Sequence, residues 1–153
     1  MNQTQPFERN QNESTVSYLQ RLKEMGFLFH GSANDDISDL EPRDTHDPDS
    51  AENTDTAVFA THNVSWAIIF GLYGGHTGWS TESVNGKVTA KITSKDKDLV
   101  ESTIGAVYVL PRDTFKSPTG NSQYKSHEAV QPVLKVQVTV RDFYELGGLI
   151  EWQ

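Results

Sequence analysis

The residues with the clearest chemical potential are His30, Gly31 and Ser32, which directly follow the apolar run Phe-Leu-Phe at positions 27–29. A short apolar run that ends at a glycine is typical of a buried strand. The His30 ring can donate and accept hydrogen bonds, and Gly31 allows a ligand to approach its backbone closely. A second apolar strand that ends in polar groups is predicted at residues 57–61. We therefore expect a ligand cleft between two buried strands.

Glu128 is the carboxylate that we single out as a partner for this cleft. It comes shortly before a predicted strand that includes residues 134–140. A carboxylate in a cleft can stabilise positive charge that develops during a reaction. Gln123 lies on the same stretch of chain and is the alternative residue for this position. Neither His30 nor Glu128 is specific alone, so the prediction depends on the two together.

The composition excludes several classes of function. The chain has 153 residues, enough for one domain that buries about two thirds of its unfolded surface. With 13 Lys and Arg against 21 Asp and Glu, the net charge is −8, which argues against direct binding of nucleic acid or an anionic membrane. The absence of cysteine excludes disulfides and thiolate chemistry. No stretch reads as a membrane span or a signal peptide, so we expect a soluble, cytoplasmic protein.

The periodicity of the apolar residues predicts helices mainly in the first half and strands in the second. Residues 1–13 are polar and expected to be flexible, and residues 14–153 are expected to form a single domain. Ser14 caps a first predicted helix that ends at Gly26, and a second predicted helix covers residues 63–73. Further strands are predicted at 87–93, 104–110, 134–140 and 149–152. Because no crossover helices separate these strands, the pattern predicts an α+β fold with largely antiparallel sheets.

The acidic stretch at residues 34–56 is the one segment whose composition suggests a cation. It lacks the ordered alternation and the glycine of a calcium loop. We therefore expect a solvated loop there and no metal site.

Three segments together resemble the ADP-ribosyltransferase superfamily, in particular its poly(ADP-ribose) polymerase and diphtheria-toxin-like branch. That family carries a His-Gly-(Ser/Thr) strand, then a Tyr-Phe-Ala-like strand followed by a helix, and finally a strand with a glutamate. The corresponding segments here are residues 27–32, 58–67 and 128–130. The resemblance covers about residues 26–73 and 122–140. It implies a single domain with split antiparallel β-sheets and a few helices.

The resemblance also implies a function. The protein would use NAD as a co-substrate, release nicotinamide and transfer ADP-ribose to an unidentified acceptor, with proteins among the candidates. The Gly31 backbone and the Ser32 hydroxyl would hold the nicotinamide carboxamide, and His30 would hydrogen-bond the adenosine ribose. Glu128 would be the catalytic carboxylate, acting with His30. The aromatic residues implied for the NAD site are Phe59, Phe70 and Tyr73.

Three departures from the family pattern are present, one of which is that Ser65 and Trp66 match the family's Ser-x-Ser helix segment imperfectly. Val58 stands where the family has a strand tyrosine, and Ile69 lies nearest to the helix tyrosine that stacks on nicotinamide. These departures favour a second hypothesis, a catalytically inactive module of the same fold that binds NAD, ADP-ribose or a protein partner. Gln123 in place of the family glutamate would have the same consequence. A third hypothesis is a structural protein, and it predicts no change in melting temperature with NAD.

Overall fold

The described part of the N-terminal segment is held in place by an ion pair and a hydrogen bond. The computed structural model describes residues 8–45, 55–116 and 123–153. Residues 1–7, part of the stretch predicted to be flexible, lie outside the described residues. Within residues 8–13, the Glu13 carboxylate binds the Arg21 guanidinium at 2.9 Å, and Arg21 also donates a hydrogen bond to the carbonyl of Glu8. The hydrogen bond from Arg21 lowers the pKa of Glu13 to about 2.

Local capping signals fix the ends of the first two helices. The described helices are α1, Thr15–Glu24; α2, Val64–Tyr73; α3, Lys97–Ser102; α4, Val140–Glu145; and a 3-10 helix, Ser94–Asp96. The Ser14 hydroxyl accepts the backbone N–H of Ser17 at 3.1 Å, and the Asn63 side chain accepts that of Trp66. Gly26 follows α1 with a φ of 95°, a conformation that glycine adopts without strain. The predicted positions of both helices are confirmed.

The strands form two sheets. They are β1, Leu28–Ser32; β2, Arg43–Thr45; β3, Asp55–Thr61; β4, Ser80–Val84; β5, Lys87–Ile92; β6, Gly105–Leu110; β7, Gln123–Ser126; β8, Leu134–Val138; and β9, Leu149–Trp152. The larger sheet has the order β2-β3-β1-β6-β8, with β7 also paired to β3, and the smaller sheet has the order β4-β5-β9. Of these pairs, only that of β5 with β9 is parallel. The predicted α+β class with largely antiparallel sheets is confirmed.

Several elements differ from the sequence-based prediction. Strand β2 lies within residues 34–56, which were predicted to be a loop, because its residues pair with β3, and strand β7 was not predicted. Strand β8 ends at Val138 instead of Val140, because a capping box begins helix α4 at this point. In that box the Asp142 carboxylate accepts the backbone N–H of Thr139 at 2.8 Å. Helix α3 was not predicted. Strand β4 was not predicted either, although the Asn-Gly turn at residues 85–86, with φ of 55° and 80°, joins it to β5 in a hairpin.

Helix α2 lies at the centre of the larger of two hydrophobic cores. Its residues Ile68 and Ile69 are fully buried against the sheet and the neighbouring helices. The second core includes Leu28 and Tyr108, which alternate along their strands with residues of the first core. The two cores therefore cover opposite faces of the six-stranded sheet. Within the described part of the chain, no helix is long and apolar enough to cross a lipid bilayer.

Three glycines allow α2 to pack directly on the backbone of β1 and β6. A Cβ atom at Gly31 would lie 2.5 Å from the amide nitrogen of Gly71 and still closer to the carbonyl oxygen of Ala67. A Cβ at Gly71 would lie 2.8 Å from the carbonyl oxygen of Ala106, and one at Gly105 would meet the Gly71 backbone. Such distances are too short for any other residue, so the glycines set the separation of helix and sheet.

Candidate functional site

The sheet opens between β1 and β3, the two strands expected to border a cleft. Strand β1 pairs with β6 along its whole length, from Leu28 to Ser32. It meets β3 at one register pair only, Phe29 with Thr61. Beyond that pair the His30 ring bridges the strands, because its Nδ1 lies 2.8 Å from the carbonyl oxygen of Phe59. The strands therefore leave a space between them that side chains line.

This space is a cavity of about 310 Å³. Strands β1, β3 and β7 and helix α2 each contribute to its wall. The lining residues are Phe29, His30, Gly31, Phe59, Ala60, Thr61, Trp66, Ala67, Phe70 and Gln123. Among the described residues, no Asp or Glu lines the cavity. It is therefore an apolar and aromatic site with a few neutral polar groups, as ligand pockets commonly are.

His30 contributes a neutral ring to the cavity. Burial lowers its pKa, the nearby Arg43 charge lowers it further, and the hydrogen bond to Phe59 opposes the shift. Since the Phe59 carbonyl can only accept, Nδ1 carries the proton and Nε2 is left as an acceptor. A neutral imidazole of this tautomer can accept a hydrogen bond from a sugar hydroxyl.

Gly31 and Ser32 have different positions relative to the cavity. Gly31 lines it, and the absence of a side chain is required there by the packing of α2. The Ser32 hydroxyl accepts the backbone N–H of Asn34 at 3.1 Å in the turn after β1. Ser32 is not among the lining residues, so the structure does not bring its hydroxyl to the predicted carboxamide site.

Aromatic side chains form much of the cavity wall. Phe59 from β3 and Phe70 from α2 both line it, as predicted for the ligand site, and Phe70 remains 38% exposed. Trp66 also lines the cavity and is held by a hydrogen bond of 2.8 Å from its Nε1 to the Thr81 hydroxyl on β4. The ring centroids of Phe70 and Trp79 are 5.0 Å apart, which supports Phe70 from outside the cavity.

Tyr73, the other aromatic residue predicted to stack on a ligand, lies in the core. It is 2% exposed, and its hydroxyl donates a hydrogen bond to the Asp96 carboxylate. That hydrogen bond raises the pKa of Tyr73 to about 12. Its ring stacks on His76 with a centroid separation of 4.2 Å. Since Ile69 is fully buried as well, the α2 residues with rings in the cavity wall are Trp66 and Phe70, and Phe70 is the more exposed of the two.

Strand β7 brings Gln123 to the cavity and leaves Glu128 outside it. Gln123 pairs with Thr61 of β3, and both line the cavity. Glu128 is exposed in a bend between β7 and β8, and not on a strand, where the resemblance would place the family glutamate. The Ser126 hydroxyl closes this bend by donating to the carbonyl of Glu128 at 2.9 Å. Gln123 and Ser126 are three positions apart on β7, a span of about 10 Å, so the bend begins well away from the cavity.

No metal-binding cluster of three or more His, Asp or Glu side chains occurs in the described ranges. Of the acidic stretch predicted to be a loop, residues 43–45 form strand β2 and residues 55–56 begin β3, so the prediction is wrong there; residues 46–54 lie outside the described ranges.

Comparison with known proteins gives no family for this chain. No protein-family model, no curated protein and no solved structure matches it. The functional argument therefore depends on the geometry of the cavity and on the resemblance of its sequence segments.

Proposed function

We propose that the protein binds NAD with the nicotinamide end in this cavity, and that it holds the nucleotide without transferring ADP-ribose. The observation that carries the proposal is the composition of the wall. His30, Gly31 and Gln123 meet in one aromatic cavity, and no carboxylate is present there among the described residues. This is the second hypothesis of the sequence analysis, a binding module of the ADP-ribosyltransferase type of fold.

The cavity residues fit the nicotinamide ring. A flat ring can stack against Phe70 or pack edge-on to it, with Trp66 and Phe59 completing the wall. The carboxamide has one acceptor and two donor hydrogens, which the backbone of Gly31 and the side-chain amide of Gln123 can match. A volume of about 310 Å³ is at the lower end for ligand pockets. It accommodates one ring and part of a sugar, and the remainder of the dinucleotide would extend outside.

The lack of a carboxylate among the described lining residues is the reason to favour binding over transfer. When nicotinamide leaves, positive charge develops on the ribose carbon, and a fixed negative charge in a dry cleft stabilises it most. The amide of Gln123 offers a dipole in place of that charge. Glu128, which the sequence analysis made the catalytic carboxylate, has an exposed side chain, where water weakens its electrostatic effect.

Release of free nicotinamide from NAD tests this proposal against transfer. We expect no release above the buffer rate by the wild-type protein or by Glu128→Gln. Gln123→Glu introduces a carboxylate into the cavity and is expected to raise the rate about tenfold or more, which corresponds to about 1.4 kcal/mol of transition-state stabilisation.

The opposite pattern would establish the transferase hypothesis. Nicotinamide released by the wild-type protein and lost in Glu128→Gln would show that Glu128 reaches the reaction centre. Thermal unfolding of each variant serves as the control, since a loss of activity counts only if the variant is folded.

A further inference from the structure

Two lysines stand side by side next to the cavity. Lys116 and Lys125 form an isolated antiparallel β-bridge, in which the Lys116 amide donates to the Lys125 carbonyl at 2.9 Å. Residues directly opposite in such a bridge point their side chains to the same face, with Cβ atoms about 5 Å apart. Lys116 and Lys125, called the lysine pair below, therefore present two positive charges on one face of the sheet.

That face is the one that carries the cavity. Lys125 is opposite Phe59 in the pairing of β7 with β3, and Gln123 is two residues away on the same face. The Lys125 ammonium lies 5.7 Å from the centroid of the Phe59 ring, and Phe59 lines the cavity. Lys116, Lys125 and Phe59 thus form a row that leads from the sheet edge to the cavity.

This arrangement favours an anion. Two ammonium groups on neighbouring strands can approach one anion from the same face of the sheet. The protein as a whole carries a net charge of −8, so two adjacent lysines are a local exception to its charge. A phosphate accepts hydrogen bonds from several ammonium groups at once, and such charge-assisted bonds are among the stronger ones in proteins.

We propose that the lysine pair binds a phosphate group of the nucleotide whose nicotinamide ring occupies the cavity. This inference rests on the proposed function and makes it more specific: the ligand is a nicotinamide nucleotide, and neither the free base nor the nucleoside carries the group that the lysines recognise. The ring enters between β1 and β3, and the phosphate lies over β7 and the chain at Lys116. The small volume of the cavity agrees with a phosphate outside it.

The test is a calorimetric titration with nicotinamide, nicotinamide riboside and nicotinamide mononucleotide, which differ by a ribose and then by a phosphate. Each is titrated into the wild-type protein, Lys116→Met, Lys125→Met and the control Lys95→Met, an exposed lysine of the 3-10 helix. We expect the mononucleotide to bind about tenfold more tightly than the riboside. Lys116→Met and Lys125→Met should remove most of that difference and leave nicotinamide binding unchanged, and Lys95→Met should have no effect. Added salt should weaken binding of the mononucleotide alone.

The failures of the two proposals can be told apart. Equal affinity for riboside and mononucleotide, or an equal loss for all three ligands in Lys125→Met, would overturn the phosphate site and leave the nicotinamide site standing. If none of the three ligands binds the folded wild-type protein, both proposals are wrong.

Titration with inorganic pyrophosphate distinguishes a phosphate that belongs to the nucleotide from a free phosphate. Weak binding that is lost in the lysine variants supports the site, and pyrophosphate binding as tight as that of the mononucleotide would overturn its link to the cavity.

Discussion

The helix-side wall and the β7 wall of the cavity are held in place by different interactions. On the helix side, α2 contacts β1 backbone to backbone through Gly31 and Gly71, and Asn63 caps the N-terminus of α2. The β7 wall consists of four residues that pair with β3, and the bridge to Lys116 extends it by one residue. Helix α2 cannot move closer to β1 without a backbone clash. The position of the β7 wall depends on the register of a short strand.

The helix side therefore determines the shape of the cavity, and β7 determines the polar groups beside it. The helix-side wall supplies the ring-shaped, apolar space, and its glycines leave little freedom for change. Strand β7 supplies Gln123 to the cavity wall and places Lys125 beside it, and to these two groups we assign the holding of the nucleotide and the recognition of its phosphate. Substitutions of the glycines on the helix side should therefore affect folding, and substitutions of the side chains that line the cavity should affect the ligand.

The largest effect is expected from Gly31→Ala. Its Cβ would overlap the backbone of α2, so either the helix or strand β1 must shift, and we expect a loss of about 3 kcal/mol or more in the free energy of unfolding. Urea denaturation measures this loss. Gly75→Ala is the matched control, because a Cβ there meets nothing within 4 Å, and it should change stability by less than about 0.5 kcal/mol. Equal stability of the two variants would show that α2 does not pack on β1 as described.

A smaller effect is expected from pH, through the ring that bridges the opening of the sheet. Burial lowers the pKa of His30 below 6.5, and it lowers the pKa of His62 as well. The unfolded chain therefore binds more protons than the native state below pH 6.5, and stability should fall as the pH decreases from 6.5 towards the native pKa values. His30→Gln should make this decrease shallower.

A second acid-sensitive step is expected at lower pH. The pKa of Glu13 is lowered from 4.5 to about 2, so the stability contributed by its pairing with Arg21 is present above pH 4.5 and is lost as the pH falls towards 2. Denaturation midpoints measured in steps of about one pH unit separate this step from that of the histidines. For the histidine step at higher pH, a free energy of unfolding that stays constant between pH 7 and 5 would contradict the burial of His30.

The local parts of the fold and of the site could be predicted from the sequence. Ser14 and Asn63 are capping residues that act on the helices directly after them, and their helices were predicted correctly. The strand with His30 and Gly31 was predicted from its apolar run, and both residues line the cavity. Phe59 and Phe70 also lie where a ligand could contact them.

The remaining differences come from interactions between distant segments or from weak local signals. The alternation of Leu134 to Val140 continues two residues past the end of β8, because Val140 is buried on the face of α4 and not in a strand. The Asn-Gly turn at residues 85–86 was a local signal that could have revealed strand β4.

The choice between Gln123 and Glu128 depends on the register of β7 against β3, which no pattern within residues 122–130 determines. Likewise, Tyr73 is directed to Asp96, which is far from it in sequence.

Calorimetric titration of NAD into the wild-type protein, Phe70→Ala and Tyr73→Phe shows whether the nucleotide binds in the cavity. We expect saturable binding to one site, a weakening of about tenfold or more in Phe70→Ala, where the stacking ring and its area are lost, and unchanged affinity in Tyr73→Phe. Absence of binding to the folded wild-type protein would contradict the account. A loss of affinity in Tyr73→Phe as large as that in Phe70→Ala would place the ligand elsewhere and contradict it equally.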